Sequence, residues 1–207
     1  MHTLKLEALL LFLLLPVALL FVKPLVIGFA LLWVLTGIVL IAARKNRAAF
    51  MPLCSVSTVT ARSLWQMVAR WAVCSVLLWL YTAYYEPELL FKFPTEKPML
   101  WIMVLCFYPF LSALPQEIVY RVFFFHRYAG VFKTEQGRVL ANAAAFALIH
   151  LIFGNVLAVV LSFVGGVLFA YTYRTHQSLL LVWVEHTLYG WTLFTVGLGW
   201  YFYHGNV

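Results

Sequence analysis

Glu117, Arg121, His150 and His186 interrupt long apolar runs in the C-terminal half of the chain. The first three apolar runs hold almost nothing ionisable in their middles. A charged group at the centre of a bilayer costs from about 2.5 kcal/mol upward, so ionisable residues kept there are functional candidates. A carboxylate and two imidazoles can accept and return protons, which is the equipment for activating water. Arg121 follows Glu117 by four residues, so the two share a helix face and can neutralise each other. Asn142, Phe146 and His150 recur every four residues and also share a face. Asn142 reads there as a hydrogen bond between helices, and His150 alone would read as a neutral core histidine bonded to a carbonyl. Glu185 and His186 point about 100° apart on a helix, so only one need face a site. Glu185 is expected to find a structural partner such as Arg174 or Tyr189. His126, His176 and His204 fall at loop or interface positions.

The elements that must position these residues follow from composition. Of 207 residues 65% are hydrophobic and 10% charged, against about 45–50% and about 25% in soluble domains. That excludes disorder and argues against a soluble globule. The formal charge is +7, yet the cations lie between apolar runs and not on one clustered face, so no nucleic-acid partner is expected. All seven carboxylates are Glu, which rules out sites built from paired Asp. Cys54, Cys74 and Cys106 are widely spaced and read as buried small hydrophobes.

The chain is therefore expected to be all-α, a polytopic transmembrane helical bundle with the lipid bilayer as its solvent. Spans of about 20 residues fit roughly 5–22, 24–43, 64–85, 101–125, 138–154, 155–173 and 178–199, with a six-helix count as the alternative. The first run reads as a retained helix that hairpins at Lys23-Pro24 into the second, because no small-x-small cleavage site follows it. Residues 61–71 look amphipathic and are expected to lie in the interface. Residues 1–98 then form N-terminal helices and an interfacial segment, and 99–207 a catalytic-type core, in one structural domain. Stretch 44–62 carries Arg44, Lys45, Arg47 and Arg62, and 121–138 carries Arg121, Arg127, Lys133 and Arg138. Stretch 86–98 is richer in Glu. The excess of Lys and Arg places the N-terminus in the cytoplasm and the C-terminus outside, in a plasma membrane of bacterial inner-membrane type. Trp200-Tyr201-Phe202-Tyr203 is expected at the outer interface.

Counting about 1.5 Å per residue from the span ends puts Glu117 and His186 about 12 Å deep and His150 about 18 Å deep. Three spans thus bring a carboxylate and two imidazoles to a similar level. Pro115 removes a backbone donor beside Glu117. It predicts either a break that starts a new half-helix, whose free N–H groups favour the Glu117 anion, or a simple kink in a continuous helix.

This pattern resembles the CPBP family of CAAX-protease and bacteriocin-processing intramembrane peptidases, also called the ABI family. Gln116-Glu117-Ile118-Val119-Tyr120-Arg121 is similar to its Glu-Glu-x-x-x-Arg motif, and Phe146 to His150 to its Phe-x-x-x-His motif. Ser178-Leu179 through His186 to Gly190 is similar to a third, with His-x-x-x-Asn. The departures are Gln116 for the first Glu and Gly190 for the Asn. The resemblance implies an intramembrane endopeptidase acting on a peptide or membrane-protein substrate without a cofactor. In it a Glu and the His150 equivalent hold the attacking water, and the His186 and Asn equivalents stabilise the oxyanion. For this chain the expected assignment is Glu117 as base, a water shared with His150, and His186 as oxyanion donor, with Gln116 standing in for the missing Asn. Gln116, Arg121, Phe146 and Asn142 are supporting residues. One alternative puts Zn²⁺ on Glu117, His150 and His186, although no H-E-x-x-H is present. Another is a catalytically inactive scaffold or peptide-immunity protein using the same cavity.

Overall fold

Seven helices long and apolar enough to cross a membrane form among the described residues, in agreement with the sevenfold hydropathy pattern and not with the six-helix alternative. The computed structural model describes residues 2–22, 25–45 and 59–202. The spans are α1 (His2–Phe21), α2 (Val26–Lys45), α3 (Ala61–Tyr85), α4 (Pro98–Arg127), α5 (Glu135–Phe153), α6 (Val156–His176) and α7 (Leu179–Val196). No strand occurs among the described residues, so the fold is an all-α polytopic bundle. Large apolar side chains such as Phe21, Trp65 and Met99 are exposed on its outer face, as a lipid solvent allows. The Lys23-Pro24 hairpin, Arg47, Cys54, Ser55, Ser57, Thr58, Tyr203 and His204 lie outside the described residues.

Polar side chains start the helices where the sequence changes character. Thr60 and Ser63 form a reciprocal capping box on α3. Thr134 caps α5, Asn155 caps α6 and Ser178 caps α7, each accepting from a backbone N–H three residues on. Once capped at Thr60, the backbone runs unbroken to Tyr85, so residues 61–71 form the first turns of α3. Helices α5 and α6 are joined by a turn through Gly154 at φ 71°. They approach so closely that a Cβ on Gly166 would sit 3.0 Å from the Cα of Ala143. Close approach through small residues is the usual basis of helix packing in a bilayer.

Pro115 does not break α4. The helix continues through it by taking two wider π-turns, Pro109–Ala113 and Ile118–Phe123. A proline deprives the carbonyl four residues earlier of its donor, and in a bilayer that carbonyl needs another. The indole of Trp33 in α2 donates to Leu111 O at 3.2 Å, and that of Trp191 in α7 donates to Leu105 O at 2.9 Å. These are the carbonyls that Pro115 and Pro109 leave open. Trp183 donates to Pro109 O at 2.7 Å as well. Because the helix is continuous, no helix N-terminus meets Glu117, and its negative charge must be held by side chains instead.

The two ends of the bundle are tied by polar contacts. Arg127, at the end of α4, grips Glu7 of α1 through two nitrogens at 2.9 and 2.7 Å. At the other end Leu198–Phe202 forms a short 3₁₀ turn after α7. It is held by Tyr201, which donates to Glu86 at 2.8 Å, and by Asn155, which donates to Tyr201 O at 2.7 Å. Phe202 folds inward against His150, with ring centroids 5.8 Å apart. This part of the aromatic cluster therefore closes the core.

Candidate active site

Helix α4 carries the acidic end of the site. Glu117 and Arg121 are both fully buried, one turn apart, with Arg121 Nε 3.1 Å from Glu117 Oε2. Burying an ion pair is favourable only when further hydrogen bonds complete it. Asn142 of α5 supplies one: its Oδ1 accepts from Arg121 Nη1 at 3.0 Å, while its Nδ2 donates to Tyr120 O and Arg121 Nη2 has no hydrogen-bond partner among the described residues. The guanidinium also lies over the Phe146 ring, 4.7 Å from its centroid, and 5.6 Å from that of Phe169. Asn142 thus bonds two helices, as expected, and fixes the arginine that holds Glu117.

The other Glu117 oxygen faces α7. His186 Nδ1 donates to Glu117 Oε1 at 2.7 Å. The His186 ring is stacked on Phe169, centroids 4.6 Å apart, and meets the edge of Phe146 at 5.7 Å. His150 of α5 also packs against the Phe146 ring, 4.7 Å between centroids, and its Nδ1 donates to Phe146 O at 2.6 Å. A carboxylate and a carbonyl can only accept, so each imidazole presents an N–H at Nδ1.

A cavity of about 1590 Å³ opens beside these rings. Its wall is overwhelmingly apolar, with Tyr108, Ser112, Gln116, His150, Ser162 and His186 among the polar exceptions. Glu117 and Arg121 are not on the wall; Glu117 communicates with the cavity through His186. Gln116 is on the wall, where its Nε2 donates to Ser112 Oγ at 2.8 Å and its Oε1 is buried with no hydrogen-bond partner among the described residues. The arrangement sets two imidazoles, one backed by a carboxylate, beside an apolar cavity.

Glu117, Arg121, Asn142, Phe146, His150 and His186 are therefore brought together from three helices. Glu185 is separate. It pairs with neither Arg174 nor Tyr189 but with Arg70 of α3, Nη2 to Oε1 at 2.9 Å, while the same nitrogen donates to Thr172 at 2.7 Å. Arg174 is 3.6 Å from Glu135 instead. Cys74 is half-buried and Cys106 exposed on the apolar exterior, and Cys54 is outside the described residues. Among the described residues no group of three His, Cys or Glu side chains is disposed to hold a metal. In the proposed zinc set, the Nδ1 atoms of both histidines and both Glu117 oxygens already have protein partners.

Two residues of the site escaped sequence reasoning. Phe169 has no polar signal. Tyr108 lies eight residues before Gln116, with Ser112 between them, and that spacing on one face was the available clue.

Residues 97–192 match the Rce1-like family, type II CAAX prenyl endopeptidase Rce1-like. The match spans Tyr108, Gln116, Glu117, Arg121, Phe146, His150, His186 and Gly190, which is the whole of the cluster just described. No curated protein and no solved structure matches the chain. Over residues 97–192, where the motifs converge on one buried cluster, the chain is similar to the Rce1-like family of type II CAAX prenyl endopeptidases.

Proposed function

We propose that this protein is an intramembrane endopeptidase of CAAX-protease type, and that its imidazoles, not Glu117 itself, meet the attacking water. The observation that carries this reading is the 2.7 Å contact of His186 with a carboxylate that has no access to the cavity. Such a carboxylate orients an imidazole and stabilises its cation, the part it plays in other carboxylate–histidine pairs. Water donating to Nε2 of His150 and of His186 has its lone pair free for the scissile carbonyl. As the new C–O bond forms, the water proton passes to His186, and the imidazolium is balanced by Glu117. When the C–N bond breaks, His186 returns that proton to the leaving nitrogen. Gln116, which cannot take a proton, offers its unpartnered Oε1 to a substrate N–H. No cofactor enters this scheme. The family description supplies the substrate to try first, a prenylated C-terminal peptide.

The test is hydrolysis of a farnesylated CAAX peptide by the purified, detergent-solubilised chain. Glu117→Gln is expected to lower kcat about 10²–10⁴-fold, the usual range for disabling acid–base catalysis, and His186→Ala to abolish turnover. Full activity in either overturns the assignment. If the peptide is not the substrate, comparing membrane proteomes of wild type and Glu117→Gln identifies the product that disappears.

A second reading, peptide binding without hydrolysis, draws on Gln116 standing where the family has a Glu. It requires Glu117→Gln to leave the biological function intact in cells. We also propose a cytoplasmic N-terminus and an outer C-terminus in a bacterial inner membrane. Support comes from Arg127, Lys133 and Arg138 at the α4–α5 turn, against Glu86, Glu88 and Glu96 between α3 and α4.

A further inference from the structure

If His186 is occupied as the base, the negative oxygen of a tetrahedral intermediate needs a different donor. Gln116 spends one of its two amide N–H groups on Ser112, and the atom it leaves without a partner, Oε1, is an acceptor. Tyr108 is on the cavity wall, and its ring meets His186 edge-on, centroids 6.0 Å apart. Its hydroxyl donates to no residue among those described. A tyrosine with its ring in a protein interior ordinarily finds a partner for its O–H, so a free one beside the proposed base calls for an acceptor supplied by a ligand.

Gly190 shows that this position is built. A Cβ there would overlap the Tyr108 ring and lie 2.7 Å from its hydroxyl oxygen. Only a residue without a side chain lets the phenol come so close to α7, one turn beyond His186. The ring is further held by Phe194, 5.5 Å away between centroids. The phenol therefore occupies the space that an asparagine side chain at residue 190 would fill.

Building on the peptidase reading above, we infer that Tyr108 is a catalytic residue of this chain, its phenolic O–H donating to the oxyanion of the tetrahedral intermediate in place of a side chain at residue 190. The hydroxyl keeps its proton throughout. It shares the proton in a hydrogen bond that strengthens as the carbonyl oxygen gains charge, and it relaxes when the C–N bond breaks. Gly190 is then the residue that makes room for Tyr108.

The test uses Tyr108→Phe, which keeps the ring against Gly190 and deletes one oxygen. With the farnesylated CAAX peptide, kcat is expected to fall about 10²–10³-fold, the loss seen when one oxyanion donor is removed, with KM within about threefold. Tyr108→Ala combined with Gly190→Asn, which returns a carboxamide to the vacated volume, is expected to recover at least about tenfold over Tyr108→Ala alone. A Tyr108→Phe enzyme within threefold of wild type in kcat overturns the inference and leaves the peptidase reading standing. A second measurement is independent of turnover: binding of the same peptide ending in an aldehyde, whose adduct is tetrahedral, against binding of the parent peptide. Tyr108→Phe is expected to weaken the aldehyde about tenfold or more and to leave the parent peptide unchanged. Equal loss for both ligands, or none for the aldehyde, overturns the inference whether or not the wild type cleaves.

Discussion

Asn142 has no place in the proton transfers, yet the cluster depends on it. It is the only side chain among those described that hydrogen-bonds Arg121 without competing for its charge. Asn142→Ala would leave a buried guanidinium nitrogen without its partner and free the Tyr120 carbonyl it also serves. Leaving buried polar atoms unsatisfied costs about 1–3 kcal/mol each. The expected outcome is a thermal midpoint several degrees lower in detergent, with kcat reduced less than in Glu117→Gln. Unchanged stability would show that Arg121 is held by Glu117 and the aromatic rings alone. At this scale the sequence was informative about membership and weak about contact. Costly intramembrane charges nominated Glu117, Arg121, His150 and His186 without any structure. Which of them touch could not be read, because the Glu117–His186 bond joins positions 69 residues apart and depends on the facing of two helices.

The helices were legible as apolar runs of membrane-spanning length, and their caps as Thr, Asn and Ser at the edges of those runs. Pro115 left a break and a kink in a continuous helix both open; the helix is continuous, and the carbonyl that Pro115 deprives of its donor is served by Trp33, on another helix. That compensation makes a quantitative expectation. Trp33→Phe keeps most of the apolar contact but strands Leu111 O, and is expected to destabilise the protein by about 1 kcal/mol. In a Pro115→Ala background the carbonyl can regain a backbone donor, so the same change should cost much less. A double-mutant cycle measured by thermal or chemical unfolding should therefore show a coupling of at least about 0.5 kcal/mol. Strict additivity would mean that the indole bond is incidental. The π-turns on either side of Pro115 also shift the phase of α4, so counting by 3.6 from Glu117 does not give the side-chain facing seen at Tyr108.

For the molecule as a whole, the proposed topology predicts which face is reachable. Single cysteines placed at residue 130, in the α4–α5 turn, and at residue 88, between α3 and α4, in a background free of native cysteines, should differ in labelling by a membrane-impermeant maleimide on intact cells. Residue 88 should label and residue 130 should not until the membrane is opened. The reverse pattern would invert the bundle and place the basic turn outside, against the distribution of Lys and Arg.

The Arg70–Glu185 bridge bears on the seam between α3 and α7. Prising α3 from α7 would expose a fully buried carboxylate to lipid without its cation, a loss of about 3–5 kcal/mol for a broken buried pair. The Trp71 bond to Thr192 at 3.0 Å would go with it. Separating these two helices is therefore costly, and Glu185, adjacent in sequence to the proposed base, serves to hold α7 against α3.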